Sequence, residues 1–89
     1  MIEFEITVKD PYGIHARPAG VLVKRAQSLE SDISITCKGK TADAKRLISV
    51  MTLGAKKDDV LCIRVSNEDS QRAQGDAKEL IELFDEMGI

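Results

Sequence analysis

The chain of 89 residues contains one histidine, His15, and the residues around it are those best suited to chemistry. His15 stands between a turn, Asp10-Pro11-Tyr12-Gly13, and a segment that begins a helix at about Ala16. The first N–H groups of a helix lack intrahelical partners, and the macrodipole adds partial positive charge there. Such a terminus attracts anions, phosphate above all. Arg17 brings a guanidinium two residues further on. An imidazole nitrogen, a set of N–H donors and a guanidinium, placed together, could receive a phosphoryl group and hold it on nitrogen. That group carries close to two negative charges at neutral pH. Each charge is worth roughly 4 kcal/mol against one arginine at about 4 Å and an effective dielectric near 20, before desolvation. This is enough to hold the group and too little to trap it. The residue types leave a plainer role open as well. A lone histidine at a helix start serves equally as a surface or capping residue, with Arg17 an ordinary solvated charge.

A second cluster is apolar. Five of the residues from Leu47 to Leu53 are Leu47, Ile48, Val50, Met51 and Leu53. A short surface helix buries one stripe only. If Val50 and Leu53 face inward, then Leu47, Ile48 and Met51 face outward as a contact surface for a partner, and methionine suits adaptable contacts. The alternative, that all five pack into a core short of aromatics, stands beside it. Lys24, Arg25, Lys45 and Arg46 could rim such a surface with positive charge.

The elements that must position these residues follow from periodicity. Ile2, Phe4, Ile6 and Val8 alternate with Glu3, Glu5, Thr7 and Lys9, which predicts a half-buried strand. From about Ala16 to Leu29 the apolar period changes to that of a helix, with Ala19, Leu22, Val23 and Ala26 on one face. Arg17, Gly20, Lys24 and Gln27 occupy the other, and Pro18 falls in the first turn, where its missing N–H costs nothing. Ile33, Ile35 and Cys37 mark a second strand. A hairpin turn at Gly39-Lys40 leads to a third, Thr41 to Lys45, with Ala42 and Ala44 inward. Leu47 to Leu53 is a short helix stopped by Gly54, and Lys56 to Asp59 a polar loop. Leu61, Ile63 and Val65 mark a fourth strand. Ser70 is the expected N-cap of a last helix with Ala73, Ala77, Leu80, Ile81 and Phe84 on its apolar face and Gly88 after its end. The order βαββαβα, with each strand polar on one side, predicts an α+β fold. It has one four-stranded antiparallel sheet with three helices on one face, forming a single domain over residues 1–89.

Composition narrows the function. Aromatic residues make up 3% of the chain and tryptophan is absent, so a deep aromatic-lined pocket is hard to build. A net charge of -2 argues against non-specific nucleic-acid binding, which needs a basic surface. A multi-histidine metal centre is impossible, and Cys37 and Cys62 lack zinc-ligand spacing. No metal and no cofactor is expected. The acidic, alternating start is unlike a secretory signal, and no run approaches the roughly 18 apolar residues of a membrane span. The expected location is the cytoplasm, with both cysteines as thiols and no insertion into a membrane.

With these residues in view, the chain resembles the HPr family, the histidine-containing phosphocarriers of the bacterial phosphoenolpyruvate-dependent sugar phosphotransferase system. GIHARPAG, Gly13 to Gly20, resembles that family's phosphorylation-site motif, and KGKTADAKRLISVMTLGA, Lys38 to Ala55, its second signature. The resemblance spans the whole chain and implies an open-faced β-sandwich. It implies that His15 is phosphorylated on Nδ1, that Arg17 compensates the charge, and that Ala16 and Arg17 supply backbone N–H donors. It further implies that enzyme I phosphorylates His15 and that sugar-specific IIA domains receive the group. Both partners would use Gly20, Lys24, Gln27, Leu47, Ile48 and Met51. The chain would then be a carrier rather than an enzyme, and a monomer. The same resemblance admits a paralogue serving a regulatory, nitrogen-type phosphorelay or acting as a regulatory binding module. One position departs from the pattern. Where members from low-GC Gram-positive bacteria carry a regulatory serine, this chain has Arg46, which cannot accept a phosphate in that way, so no regulation by the serine kinase is expected there.

Overall fold

The computed structural model describes residues Met1–Ile89. In chain order the elements are β1 (Ile2–Thr7), α1 (Ala16–Ser28), β2 (Asp32–Cys37), β3 (Lys40–Asp43), α2 (Leu47–Thr52), β4 (Val60–Ser66) and α3 (Ser70–Met87). The strands form one antiparallel sheet in the order β1-β4-β2-β3, so the expected βαββαβα architecture is the observed one. Alternation decides the two faces. Ile33, Ile35, Cys37, Ala42, Leu61, Ile63 and Val65 are buried under the helices. The other face is open and polar. There Arg64 meets Glu3 at 2.9 Å across β4 and β1, and the Thr36 and Thr41 hydroxyls lie 2.9 Å apart across β2 and β3. The core uses one fully buried aromatic, Phe84, and fills the rest with aliphatics and small residues. Ala19 and Ala26 of α1 and Ala73 and Ala77 of α3 are almost wholly buried, which lets both helices pack close.

Four sequence expectations shift. The β2–β3 hairpin turns at Lys38-Gly39 rather than Gly39-Lys40, because both residues take positive φ, 50° and 80°, the conformation of a tight two-residue turn that matches strand twist. Lys40 thereby joins β3, pairing with Cys37. The strand also stops at Asp43 instead of Lys45, since the Asp43 carboxylate accepts the Lys45 N–H at 2.9 Å and its carbonyl accepts the Arg46 N–H. Ala44 nonetheless remains buried.

At α3 the N-cap is Asp69, not Ser70. Its carboxylate accepts from the Gln71 and Arg72 N–H groups, two of the orphan donors of the helix start. Ile81 is 44% exposed rather than part of the buried face. It lies about 100° round the helix from Leu80, beside the outer edge of β1, where no further strand covers it. Leu83 and Asp76 take places on the buried face. The Asp76 carboxylate accepts from the Ser31 N–H at 3.1 Å and the Ser31 hydroxyl at 2.6 Å, and the Asn67 side-chain amide donates to the same hydroxyl at 3.2 Å. This buried cluster ties α3 to the α1–β2 and β4–α3 connections.

Candidate functional site

The loop carrying His15 is built by its residue types. Asp, Pro and Gly at the first, second and fourth positions are the signature of a type I turn. Here the Gly13 N–H donates to the Asp10 carbonyl at 2.9 Å, and the Tyr12 N–H to the Asp10 carboxylate at 2.8 Å. Gly13 has a φ of +68° and no space above its Cα. A Cβ there would collide with the Ala55 carbonyl oxygen and lie 2.9 Å from the Lys56 Cα. The next residue seals the contact, with the Ile14 N–H donating to the same Ala55 carbonyl at 3.0 Å. The turn is thus seated on the segment that follows α2.

His15 is the N-cap of α1, in extended backbone conformation, and its side chain makes no capping hydrogen bond. The ring is 44% exposed. The His15 carbonyl accepts from the Ala19 N–H, which is the first bond of the helix. Pro18 has no N–H, so within the first turn the donors left without an intramolecular partner are the Ala16 and Arg17 N–H groups. Arg17 is exposed and forms no ion pair, so its charge is free for an anion. Imidazole, two N–H donors and a free guanidinium occur within three consecutive residues, the set needed to bind a phosphoryl group.

Two neighbours of the histidine went unsingled by sequence reasoning, which read them only as turn residues. The Asp10 carboxylate lies 3.7 Å from His15 Nε2, and the Tyr12 ring stands edge-on to the imidazole at a centroid distance of 6.1 Å and 82° between planes. An acidic residue five positions before a histidine across a tight turn was the available signal.

Behind the turn lies a charged clip. The Asp59 carboxylate accepts the Lys56 N–H at 2.8 Å and meets Lys38 Nζ at 2.9 Å. The backbone donor first, and then Lys38, hold the Asp59 carboxyl below its ordinary value. The hydrogen bond to Asp59 in turn holds the Lys38 ammonium above its own. Backbone bonds join the Asp58 and Asp59 segment to Val8 at the end of β1, at 2.7 and 2.9 Å. Burial, with a lesser contribution from Asp59, pushes the Cys37 thiol up, so it stays protonated and inert. Cys37 points into the core while Cys62 points to the open face, and both are free.

Beside His15, α1 and α2 present the residues named for a partner surface. Val50 and Leu53 are buried, whereas Ile48 is 75% exposed and Leu47 and Met51 are exposed to lesser extents. Gly20, Lys24 and Gln27 line the neighbouring face of α1, with Gly20 partly covered and the other two exposed. The Gln27 amide donates to the Lys45 carbonyl at 2.9 Å, fixing the two helices' approach. The positive rim is smaller than expected. Arg25 pairs with Glu79 at 3.2 Å, Arg46 lies 3.7 Å from Asp43, and the Lys45 ammonium donates to the Leu29 carbonyl at 3.0 Å at the end of α1. Lys24 alone of the four is unpaired. Nothing near His15 forms a metal-ligand cluster.

Comparison with known proteins finds relatives in both sequence and fold. A family model described as the PTS HPr component phosphorylation site matches residues 2–83. The phosphocarrier protein HPr of Buchnera aphidicola is 40% identical over 73 residues, 82% of this chain and 86% of the relative. The structure of the histidine-containing phosphocarrier protein from Mycoplasma superposes with a TM-score of 0.82 at 30% identity, covering 99% of this chain and 98% of that one. An HPr dimer from Thermoanaerobacter tengcongensis gives a TM-score of 0.62 at 32% identity, covering 92% and 94% of the two chains.

Proposed function

The chain belongs to the HPr family of phosphocarriers of the phosphotransferase system, and from that premise we propose that it accepts a phosphoryl group on His15 from phosphorylated enzyme I and delivers it to sugar-specific IIA domains. The observation that carries the proposal is an exposed imidazole at the start of α1 beside two unpartnered N–H groups and an unpaired arginine. Transfer of a phosphoryl group asks mainly for positioning and charge compensation. The ring nitrogen supplies the nucleophile, while the Ala16 and Arg17 N–H groups and the Arg17 guanidinium receive the charge that arrives with phosphorus. Leu47, Ile48 and Met51, with Gly20, Lys24 and Gln27, form the docking surface for donor and acceptor in turn. The protein is itself loaded and unloaded, so it acts as a carrier and not as an enzyme.

This reading places the carrier in the cytoplasm as a monomer, since one surface must be free for two successive partners. Arg46 holds the position of the regulatory serine, and of the hydroxyls nearby Thr52 already donates to the Ile48 carbonyl at 2.6 Å. Incubation with enzyme I and phosphoenolpyruvate should place an acid-labile phosphate on His15, and His15→Ala should abolish it. A phosphate on another residue, or none, sinks the proposal.

A further inference from the structure

We propose that Asp10 is a positioning residue for phosphoryl transfer: its carboxylate holds the proton on Nε2 of His15 while the phosphoryl group enters and leaves at Nδ1. This rests on the carrier reading of His15. Three features fix the carboxylate in place. Pro11 locks the backbone after it. The Gly13 N–H closes the turn on the Asp10 carbonyl at 2.9 Å, and one carboxylate oxygen accepts the Tyr12 N–H at 2.8 Å. The other oxygen is left facing His15 Nε2 at 3.7 Å, and the Tyr12 ring stands edge-on to the imidazole. That separation is too long for a hydrogen bond to a neutral ring and within reach of an ion pair with a charged one. The carboxylate therefore interacts with the ring chiefly when the ring becomes cationic, which is the condition created by phosphorylation.

On the inward step the Nδ1 lone pair forms the N–P bond as the donor's bond to phosphorus breaks and its electron pair departs with the donor. The ring retains its hydrogen on Nε2 and gains positive charge opposite Asp10. On the outward step the N–P bond breaks, its electron pair returns to Nδ1, and the ring leaves as neutral imidazole with Nε2 still protonated. A ring that had lost this proton would have to leave as imidazolate, a much poorer leaving group. The negative charge of Asp10 also repels the phosphoryl dianion. Both effects shorten the life of the loaded state and favour transfer.

The test compares the full-length protein with Asp10→Asn, which keeps an acceptor for the Tyr12 N–H and removes the charge. Both are phosphorylated with phosphoramidate, a small donor independent of any partner protein, and loss of the group is followed at neutral pH by phosphorus NMR. The loaded Asp10→Asn protein should live about two- to fivefold longer, the range by which losing one partly exposed ion pair lowers the share of loaded rings that keep the Nε2 proton needed for departure. Its transfer to a IIA domain should slow by a similar factor in kcat at unchanged KM. The Nε2–H correlation in the nitrogen NMR spectrum of the loaded ring should broaden through faster exchange with water. A labelled His15 whose lifetime and Nε2–H signal are the same in both proteins, or a shorter lifetime in Asp10→Asn, overturns the role of Asp10 and leaves the carrier reading standing. Failure of phosphoramidate to label His15 in the unsubstituted protein takes down both.

Discussion

A methyl group on Gly13 would meet the Ala55 carbonyl at the same point where Ile14 N–H donates to it. The cost has two parts, the left-handed backbone at φ +68° and the displacement of the segment after α2. Gly13→Ala should therefore lower stability by about 2–3 kcal/mol in urea unfolding, and should slow phosphorylation of His15 even where the protein remains folded. A second residue-scale effect belongs to the Lys38–Asp59 clip. Asp59 is held below its ordinary value of 3.8, so its contribution is present above that pH and is lost as pH falls through the lowered value. Lys38 is held above 10.5, so its contribution is present below that pH and is lost as pH rises through the raised value. Urea midpoints measured across pH should be flat through neutrality on account of this pair and fall at both extremes. Asp59→Asn should lower the neutral midpoint and remove the pair's share of both falls.

At the scale of elements, Asp76 and Asp69 offer a comparison on one helix. Asp76 is buried and is the acceptor for two donors of Ser31, whereas Asp69 caps α3 at the surface. Asp76→Ala should cost about 2–4 kcal/mol by leaving buried donors unpaired. Asp69→Ala should cost about 1 kcal/mol, the usual worth of a cap. Thermal or urea unfolding of the two variants checks the ranking. The strands and α1 were legible in the sequence because a sheet with one buried face forces strict alternation, and a half-buried helix forces its own period. The ends were less so. Asp69 and Ser70 are both good capping residues, and only the backbone decides between them. The turn at Lys38-Gly39 requires positive φ from a lysine, which its residue type does not advertise. Ile81 is uncovered because β1 is an edge strand, a property of strand order rather than of α3 itself. Within the site, His15, Ala16, Arg17 and Pro18 are consecutive and could be read together. The approach of Asp10 to the ring depends on how the turn folds, and the Ala55 support comes from far along the chain.

At the scale of the molecule, what distinguishes the His15 side is a flat surface and not a cavity. None of the main depressions is lined by His15 or Arg17. On the proposed docking surface, specificity rests on exposed apolar side chains such as Ile48. Ile48→Glu should leave stability within about 0.5 kcal/mol, because the side chain contacts mostly solvent. It should raise KM for enzyme I or a IIA domain by about tenfold or more, measured as transfer rate against partner concentration. An unchanged KM would remove α2 from the docking surface.

The strand order carries one more consequence. β1 pairs with β4, from Ile2 against Val65 to Thr7 against Val60, and the turn that follows β1 rests on Ala55. During synthesis His15 is therefore made early but acquires its supports late. A nascent chain that ends before Ala55 carries the histidine without the seat for its turn, and one that ends before β4 still lacks the strand partner of β1. Such long-range pairing is the slow part of folding. On the proposed carrier reading, competence for phosphorylation is coupled to completion of that framework: truncated products and stalled translation intermediates hold the histidine but lack the supports that set its geometry.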